Sequence, residues 1–478
     1  MANNIFSKVF NNGVIVETIY NPVTQETNFV VAKDGESIVL ESYKDDQGTE
    51  YLPISGSSDL LTKEFVRLPS ALVSSEPVTR LYQEIRDFIS QYMKLPNNNF
   101  LDVSATYVLL TWVFDCFNTL PYLRVIGTYG TGKSRFLQIM SRLCYKTMLA
   151  GGAITTAGVF RTADYVQGTL VMDEADYKMS EMWSEIIKIF NSGHTKGTPA
   201  VRMQTNKDKD FTTKTFTVYG SKILASRERF GDQALESRCL TAQLLPLNDL
   251  KLPIHLPPEF EIKSEELRNK LLAFRLYNYH KIKADENTLK GLSFPRLKQS
   301  ALAITTVASY VSEEVLDSIN LFLKEYENEL NLDQRNDIKA DVMECIIALV
   351  YRNQVITDEN IEKKDKIYML DISKEFDARY YNQYTDIPDK HSGDGVITYK
   401  SGAVSPKRIG TYIQKLGIRK SHDSKGFYIP LPQEIKTIEV LANRYGIERP
   451  WETDTQKNNT RLFLSEDKEM INSDDIPF

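Results

Sequence analysis

The stretch LRVIGTYGTGKSRFLQIM constrains this chain more than any other. A short apolar run leads into Gly127, Gly130 and Gly132, and a segment with apolar residues at helical spacing (Phe136, Leu137, Met140) leaves them. Glycines let the backbone bend until its N–H groups point inward, and a helix start adds its own unbonded N–H groups. The pattern G-x-x-x-x-G-K-S between a strand and a helix therefore predicts a phosphate cradle over Gly127, Thr128, Tyr129, Gly130, Thr131, Gly132, Lys133 and Ser134. Lys133 would meet the outer phosphates of ATP, and Ser134 would place its hydroxyl on Mg²⁺. Such a loop belongs at the end of a parallel strand, so the fold class expected is α/β.

Farther along, GTLVMDEAD runs an apolar strand into Asp173 and Glu174. An aspartate at a strand's carboxyl end suits the Mg²⁺ shell, and the adjacent glutamate suits orientation of the attacking water. The letters D-E-A-D also spell the box of an RNA helicase family. That family carries S-A-T after the box and an arginine-rich motif near its end. Here S-A-T occurs only upstream, at Ser104 to Thr106, and the arginine motif is absent, so that reading is discarded.

The 478 residues exceed what one core supports. Alternating short apolar runs such as VIVETIY and NFVVA predict a small β-rich module over 1–75. Helical spacing leads into alternating strands and helices over 76–250, a helical segment over 251–338, and a compact module over 339–445. The acidic, polar tail over 446–478 is expected to lack a core. Lys and Arg number 58 against 64 Asp and Glu, a net charge of -6, so any contact with DNA has to be local. No apolar run spans a bilayer, no secretion signal is read at the start, and the four scattered cysteines fit reduced thiols. The location expected is cytoplasmic.

Downstream, YGSKILASRERFGDQALESRCLTAQL places a polar residue, Ser226, at the end of an apolar strand, and Arg238 before the next strand. The order of glycine loop, acidic pair, polar strand end and ALESR resembles the AAA+ superfamily, and within it the minichromosome-maintenance-like helicases of bacterial mobile elements. The resemblance implies an AAA+ core with a helical lid, an N-terminal β-rich module and a C-terminal winged helix. It makes Ser226 the sensor of the outermost phosphate and Arg238 the finger that reaches a neighbouring subunit, with Arg227 and Arg229 as rivals. It makes Arg296 the second sensor, on the lid.

Between the acidic pair and Ser226, VRMQTNKDKDFTTKTFTVYG reads as a hairpin. In helicases of the resembled type a hairpin here enters the central pore, which would give Lys207, Lys209 and Lys214 to a DNA backbone. SPKRIGTYIQKLGIRKSHDSKGFYIPL resembles the recognition helix and wing of a winged-helix domain, with Lys407, Arg408, Lys415, Arg419, Lys420 and Lys425 for DNA; a protein-docking role is the alternative. The resemblance implies a homo-hexameric ring that hydrolyses ATP to unwind DNA during replication of a mobile element, phage or plasmid. An initiator or loader, and a protein-remodelling ATPase, are the alternatives. The last residues, Asp474, Asp475, Ile476, Pro477 and Phe478, resemble the tip of bacterial single-stranded-DNA-binding proteins, which implies recruitment of host proteins that recognise that tip. A tail folded back to inhibit the chain is the other reading.

Overall fold

The computed structural model describes residues 3–151, 154–173, 181–205, 211–230, 232–246, 252–335, 338–355, 365–380 and 404–447. The chain divides into two compact units, Met1–Glu327 and Asn328–Phe478.

The first unit opens with β1 (Asn3–Ile5), β2 (Ser7–Val9), β3 (Ile15–Asn21), β4 (Glu26–Lys33), β5 (Glu36–Leu40), β6 (Tyr43–Lys44) and β7 (Glu50–Pro53). Strands β2 to β5 form an antiparallel sheet in sequence order, and β7 joins β1 to β6 in a second sheet. Alternation along β3 and β4 turns Val16 and Phe29 into a small core with Val14 and Tyr51.

After α1 (Asp59–Thr62), the helical spacing becomes α2 (Val78–Tyr92) and α3 (Asn98–Trp112). Helix α2 buries one stripe, including Leu81, Ile85, Phe88 and Tyr92, whereas α3 is buried on every face from Phe100 to Trp112. Asn97 caps α3 by accepting a hydrogen bond from the Phe100 N–H at 2.7 Å.

The α/β layer follows: β8 (Tyr122–Ile126), α4 (Lys133–Leu143), β9 (Met148–Ala150), α5 (Thr156–Val166), β10 (Leu170–Met172), α6 (Glu181–Ser192), β11 (Ala200–Thr205), β12 (Phe211–Phe216), β13 (Lys222–Ser226), α7 (Gln233–Glu236) and β14 (Cys239–Gln243). Five of these strands make one sheet, in the order β14-β8-β13-β10-β9, with every pairing parallel. Strand β8 thus lies between the last two strands of the layer. Among the described residues β11 and β12 pair with each other alone, antiparallel, between the acidic strand and Ser226. Three long helices close this part of the chain: α8 (Pro258–Asn278), α9 (Pro295–Val311) and α10 (Glu313–Arg335).

A buried ionic cluster ties the N-terminal sheet to the layer. Arg275 of α8 donates to Glu17 of β3 at 2.7 Å, to both oxygens of Asp115 at 2.8 Å, and to the Trp112 carbonyl at 2.6 Å. Tyr145 donates its hydroxyl to Glu17 at 2.7 Å. With Arg275 and Glu17 at 2% and 4% side-chain exposure, these charges have no water to fall back on.

The second unit holds α11 (Ile338–Val355), β15 (Lys366–Tyr368), α12 (Met369–Tyr380), α13 (Pro406–Lys415), β16 (Ser421–Asp423), β17 (Gly426–Pro430) and α14 (Leu431–Tyr445). The strands form an antiparallel sheet in the order β15-β17-β16 over a core that includes Ile346, Phe376, Ile409, Ile413 and Ile429. Ser405 caps α13 by accepting from the Arg408 N–H, and Gly417, at φ +81°, lets the chain leave the helix. Among the described residues no helix is long and apolar enough to cross a membrane.

Arg275→Met should destabilise the first unit by about 3–5 kcal/mol, because it leaves two buried carboxylates facing each other. Urea unfolding checks this, and adding Glu17→Gln to the same variant should recover part of the deficit.

Candidate nucleotide site

The glycine loop begins where β8 ends. Ile126 is in register with Ser226 on one side and Gln243 on the other, and the Gly127 N–H donates to the Ser226 carbonyl at 3.3 Å. A Cβ on Gly127 would lie 2.6 Å from Thr131 Oγ1 and 2.8 Å from the Leu244 carbonyl, so no other residue fits there. Gly130 and Gly132 adopt φ of +75° and +87°, the left-handed region. Gly132 starts α4 and, among the described residues, no side chain caps that end. The first turn of α4 therefore offers its N–H groups at the loop.

Lys133 folds back on the loop and donates from Nζ to the carbonyls of Gly127 at 2.7 Å and Thr128 at 2.8 Å. Ser134 donates its hydroxyl to Asp173 Oδ2 at 2.7 Å. Asp173 follows β10, whose end stands beside that of β13. The two sequence motifs thus meet at one edge of the sheet. Hydroxyl and carboxylate oxygens side by side suit a hard cation, while the glycine loop, the helix start and Lys133 suit phosphate, so the residues present fit a Mg²⁺–nucleotide. Glu174 lies outside the described residues, as do Lys207, Lys209 and Asp474 to Phe478.

Two of the expected residues, Ser226 and Arg238, are buried. Ser226 is 1% exposed and donates its hydroxyl to the Glu228 carbonyl at 2.8 Å. The turn that this bond closes sends the next side chain outward. Arg227 lies over the ring of Tyr129 at 4.6 Å from its centroid and donates to the Tyr129 hydroxyl at 2.8 Å. Tyr129 itself is 80% exposed at the loop's apex.

Arg238 is likewise turned inward. It is 9% exposed and donates from Nε to His194 Nδ1 at 3.0 Å and from Nη1 to the Ala234 carbonyl. Its own carbonyl accepts from the Tyr122 N–H, at the start of β8, whereas the loop leaves the other end. Five residues of strand separate the two by roughly 16 Å, so Arg238 does not serve the loop of its own chain. Arg296, exposed at the start of α9, lies close enough that its charge, after burial, lowers the Arg238 pKa.

Lys214 is exposed on β12, directly opposite Arg202 of β11. Each cation rests on an aromatic ring, Lys214 on Phe216 and Arg202 on Phe160. In the second unit Lys407, Lys415, Arg419 and Lys425 are exposed. Arg419 comes within 3.8 Å of Glu434, and Arg408 donates to the Tyr412 hydroxyl. Lys420 points back to donate to the Gly410 carbonyl at 2.8 Å. Phe427, 56% exposed beside the Lys425 turn, is an aromatic that the basic pattern alone did not single out.

Sequence reasoning also missed Arg124. It is wholly buried in β8 and bonded to both carboxylate oxygens of Glu236, with its guanidinium 4.5 Å from the Phe230 ring. A charged residue inside the apolar run LRVI was the available signal.

Fold and site together define a phosphate-binding-loop site on a parallel α/β sheet. No family model matches the sequence, and no curated protein matches it. Among solved structures, the chain is similar to the C-terminal region of NrS-1, at 11% identity and a TM-score of 0.33, over 87% of this chain and 96% of that one. It is also similar to the active helicase Cch of SCCmec type IV, at 11% identity and a TM-score of 0.41, over 92% and 80%. Similarity to a JCV helicase covers 52% of this chain and 61% of that one, at 13% identity and a TM-score of 0.23.

The contact between Arg238 and His194 carries a pH dependence. Arg238 approaches Nδ1 of the imidazole, and burial and then the Arg238 charge hold the His194 pKa down at about 4, from 6.5. A depressed histidine pKa stabilises the fold above the unfolded value, and this stabilisation fades as pH falls from 6.5 towards about 4. The effect should reach at most ~3 kcal/mol. His194→Gln should therefore flatten the acid limb of the urea midpoint against pH, measured beside the wild type.

Proposed function

We propose that this chain is an AAA+ ATPase that hydrolyses ATP in a ring, with hexamer as the expected state, and uses the cycle to move along or open DNA. The observation that carries the reading is the 2.7 Å contact of Ser134 with Asp173 at the mouth of the glycine loop. It joins the two motifs that phosphoryl transfer needs, since that chemistry depends on positioning and on neutralising charge.

In this reading the loop N–H groups and Lys133 bind the phosphates, and Lys133 leaves the carbonyls of Gly127 and Thr128 to do so. Ser134 and Asp173 would hold Mg²⁺, which when bound supplies positive charge between the outer phosphates. Glu174 orients the attacking water. Arg238 is proposed to act on a neighbour's site; what supports this is its position at the end of the sheet away from its own loop. To act there it has to leave His194 and Ala234, and Arg227 and Arg229 are its rivals. Arg296 would act as the second sensor from the lid.

The DNA reading is supported by the hairpin β11–β12, inserted between the acidic strand and β13, with Lys214 and Arg202 on one face. It is supported also by the basic surface of α13 and the β16–β17 turn, which suits a winged helix on a DNA backbone. Replication of a mobile element, phage or plasmid is the setting proposed.

Lys133→Ala should abolish nucleotide binding or turnover, whereas Glu174→Gln should bind ATP and hold it unhydrolysed. Normal turnover in Glu174→Gln would remove that residue from the site. ATP-dependent opening of forked DNA by the purified chain tests the helicase reading; DNA-stimulated ATPase without opening would favour the loader.

For the second unit, replacing exposed Lys407, Lys415 and Lys425 with alanine should weaken DNA binding. It should also lower the slope of log affinity against log salt by roughly 0.9 for each DNA phosphate that the variant no longer neutralises. An unchanged slope would make this unit a protein-docking module.

A further inference from the structure

We infer that the β16–β17 wing of the second unit stacks Phe427 on an unpaired base, so that this surface takes single-stranded DNA. The inference rests on the DNA reading of the basic surface and deepens it by naming the form of DNA.

The register of the wing sets which side chains share a face. Ile429 of β17 is wholly buried in the core of the unit. Phe427, two residues earlier, points to the same face but lies beyond the core and is 56% exposed. Its partner across the ladder is His422, and the two rings stand 4.8 Å apart between centroids, inclined at 62°. Lys420, just before β16, lies on this side too. Its Nζ is 5.8 Å from the centre of the Phe427 ring and donates to the Gly410 carbonyl of α13. The aromatic pair is therefore set against the basic helix, not on the far side of the wing.

The wing tip is held in shape by its acid. Asp423 accepts from the Lys425 N–H at 2.9 Å, from Lys366 Nζ at 2.9 Å and from the Tyr368 hydroxyl at 3.0 Å. The carboxylate of the turn is thus occupied, and the Lys425 side chain is left exposed.

Contact with the phosphates of a duplex needs cations and hydrogen-bond donors, and a phenyl ring is neither. Inside a duplex the faces of the bases are closed in the stack, and only their edges show in the grooves. An unpaired strand presents base faces and phosphates together. Lysines that meet a backbone, with an exposed ring among them, match both. His422 braces the ring from one side, which fixes it before binding, and more than half of Phe427 stays open to a base.

The test is the affinity of the full chain for oligothymidine, for oligoadenosine and for a blunt duplex of the same length, over a range of salt. Wild type is compared with Phe427→Ala, Phe427→Leu and Phe427→Trp. Phe427→Ala should weaken both single strands by about tenfold, the worth of one stacked base, and the duplex by less than about twofold. The slope of log affinity against log salt should stay that of the wild type, because a phenyl ring neutralises no phosphate. Phe427→Trp should keep the single-strand affinity, since an indole also stacks. Phe427→Leu keeps apolar area without a flat π face and should behave as the alanine variant does. The inference is overturned, while the DNA reading stands, by equal losses on single strands and duplex or by unchanged single-strand affinity in Phe427→Ala. Full retention by Phe427→Leu, or a wild type that binds the duplex alone, overturns it equally. A wild type that binds no DNA fails the DNA reading itself.

Discussion

A guanidinium sits in the middle of the strand that carries the loop, and the surrounding structure is arranged to accommodate it. Arg124 is buried between β14 and β13, where an unpaired charge would unfold the layer. It is satisfied on every side: Nε donates to Thr241 Oγ1 at 3.0 Å, the fork meets both oxygens of Glu236, and its face lies on Phe230. Glu236 in turn accepts from the Phe230 N–H at 2.9 Å and lies 3.7 Å from Arg229. The segment from Arg227 to Arg238 is thus folded around one ion pair in the sheet. Its two ends come out at opposite edges, Arg227 at the loop and Arg238 at the start of β8.

The parallel layer was legible in the sequence because its signals are local. The glycine spacing, the apolar strand before it and the helical spacing after it each refer to neighbouring residues, and the acidic strand and KILAS read the same way. Side-chain direction at the site was not legible. Whether Ser226 faces a phosphate depends on the turn to Glu228, and whether Arg238 faces outward depends on His194, which lies more than one strand away in sequence. The joining of the N-terminal sheet to the layer was hidden for the same reason. Glu17 falls on a strand whose every residue but the last is buried, and its partner Arg275 comes from a helix far along the chain.

Two other buried cations of this unit, Lys222 and Arg268, share one design. Lys222, 3% exposed, has its ammonium on the carbonyls of Gly193, Val218 and Gly220, just past the end of α6, and over the rings of Tyr122 and Phe190. Arg268 reaches the carbonyls of Leu68 and Arg142. In each case a long cation ends on backbone carbonyls left over by a turn or a helix end, where buried acceptors would otherwise go unbonded. Burial lowers the pKa of both groups. Such cations act as connectors: one residue satisfies several orphan carbonyls from segments that no ladder joins.

The buried arginines of this unit differ in the charge of their partners, and so in what their removal costs. Arg124 and Arg275 end on carboxylates in places without water, so removing them leaves an uncompensated charge. Arg238 meets a neutral imidazole and a carbonyl. A neutral partner satisfies a cation without binding it strongly, whereas a buried carboxylate locks the side chain where a phosphate could not recruit it. An arginine inside this unit is thus held as firmly as its partner is charged.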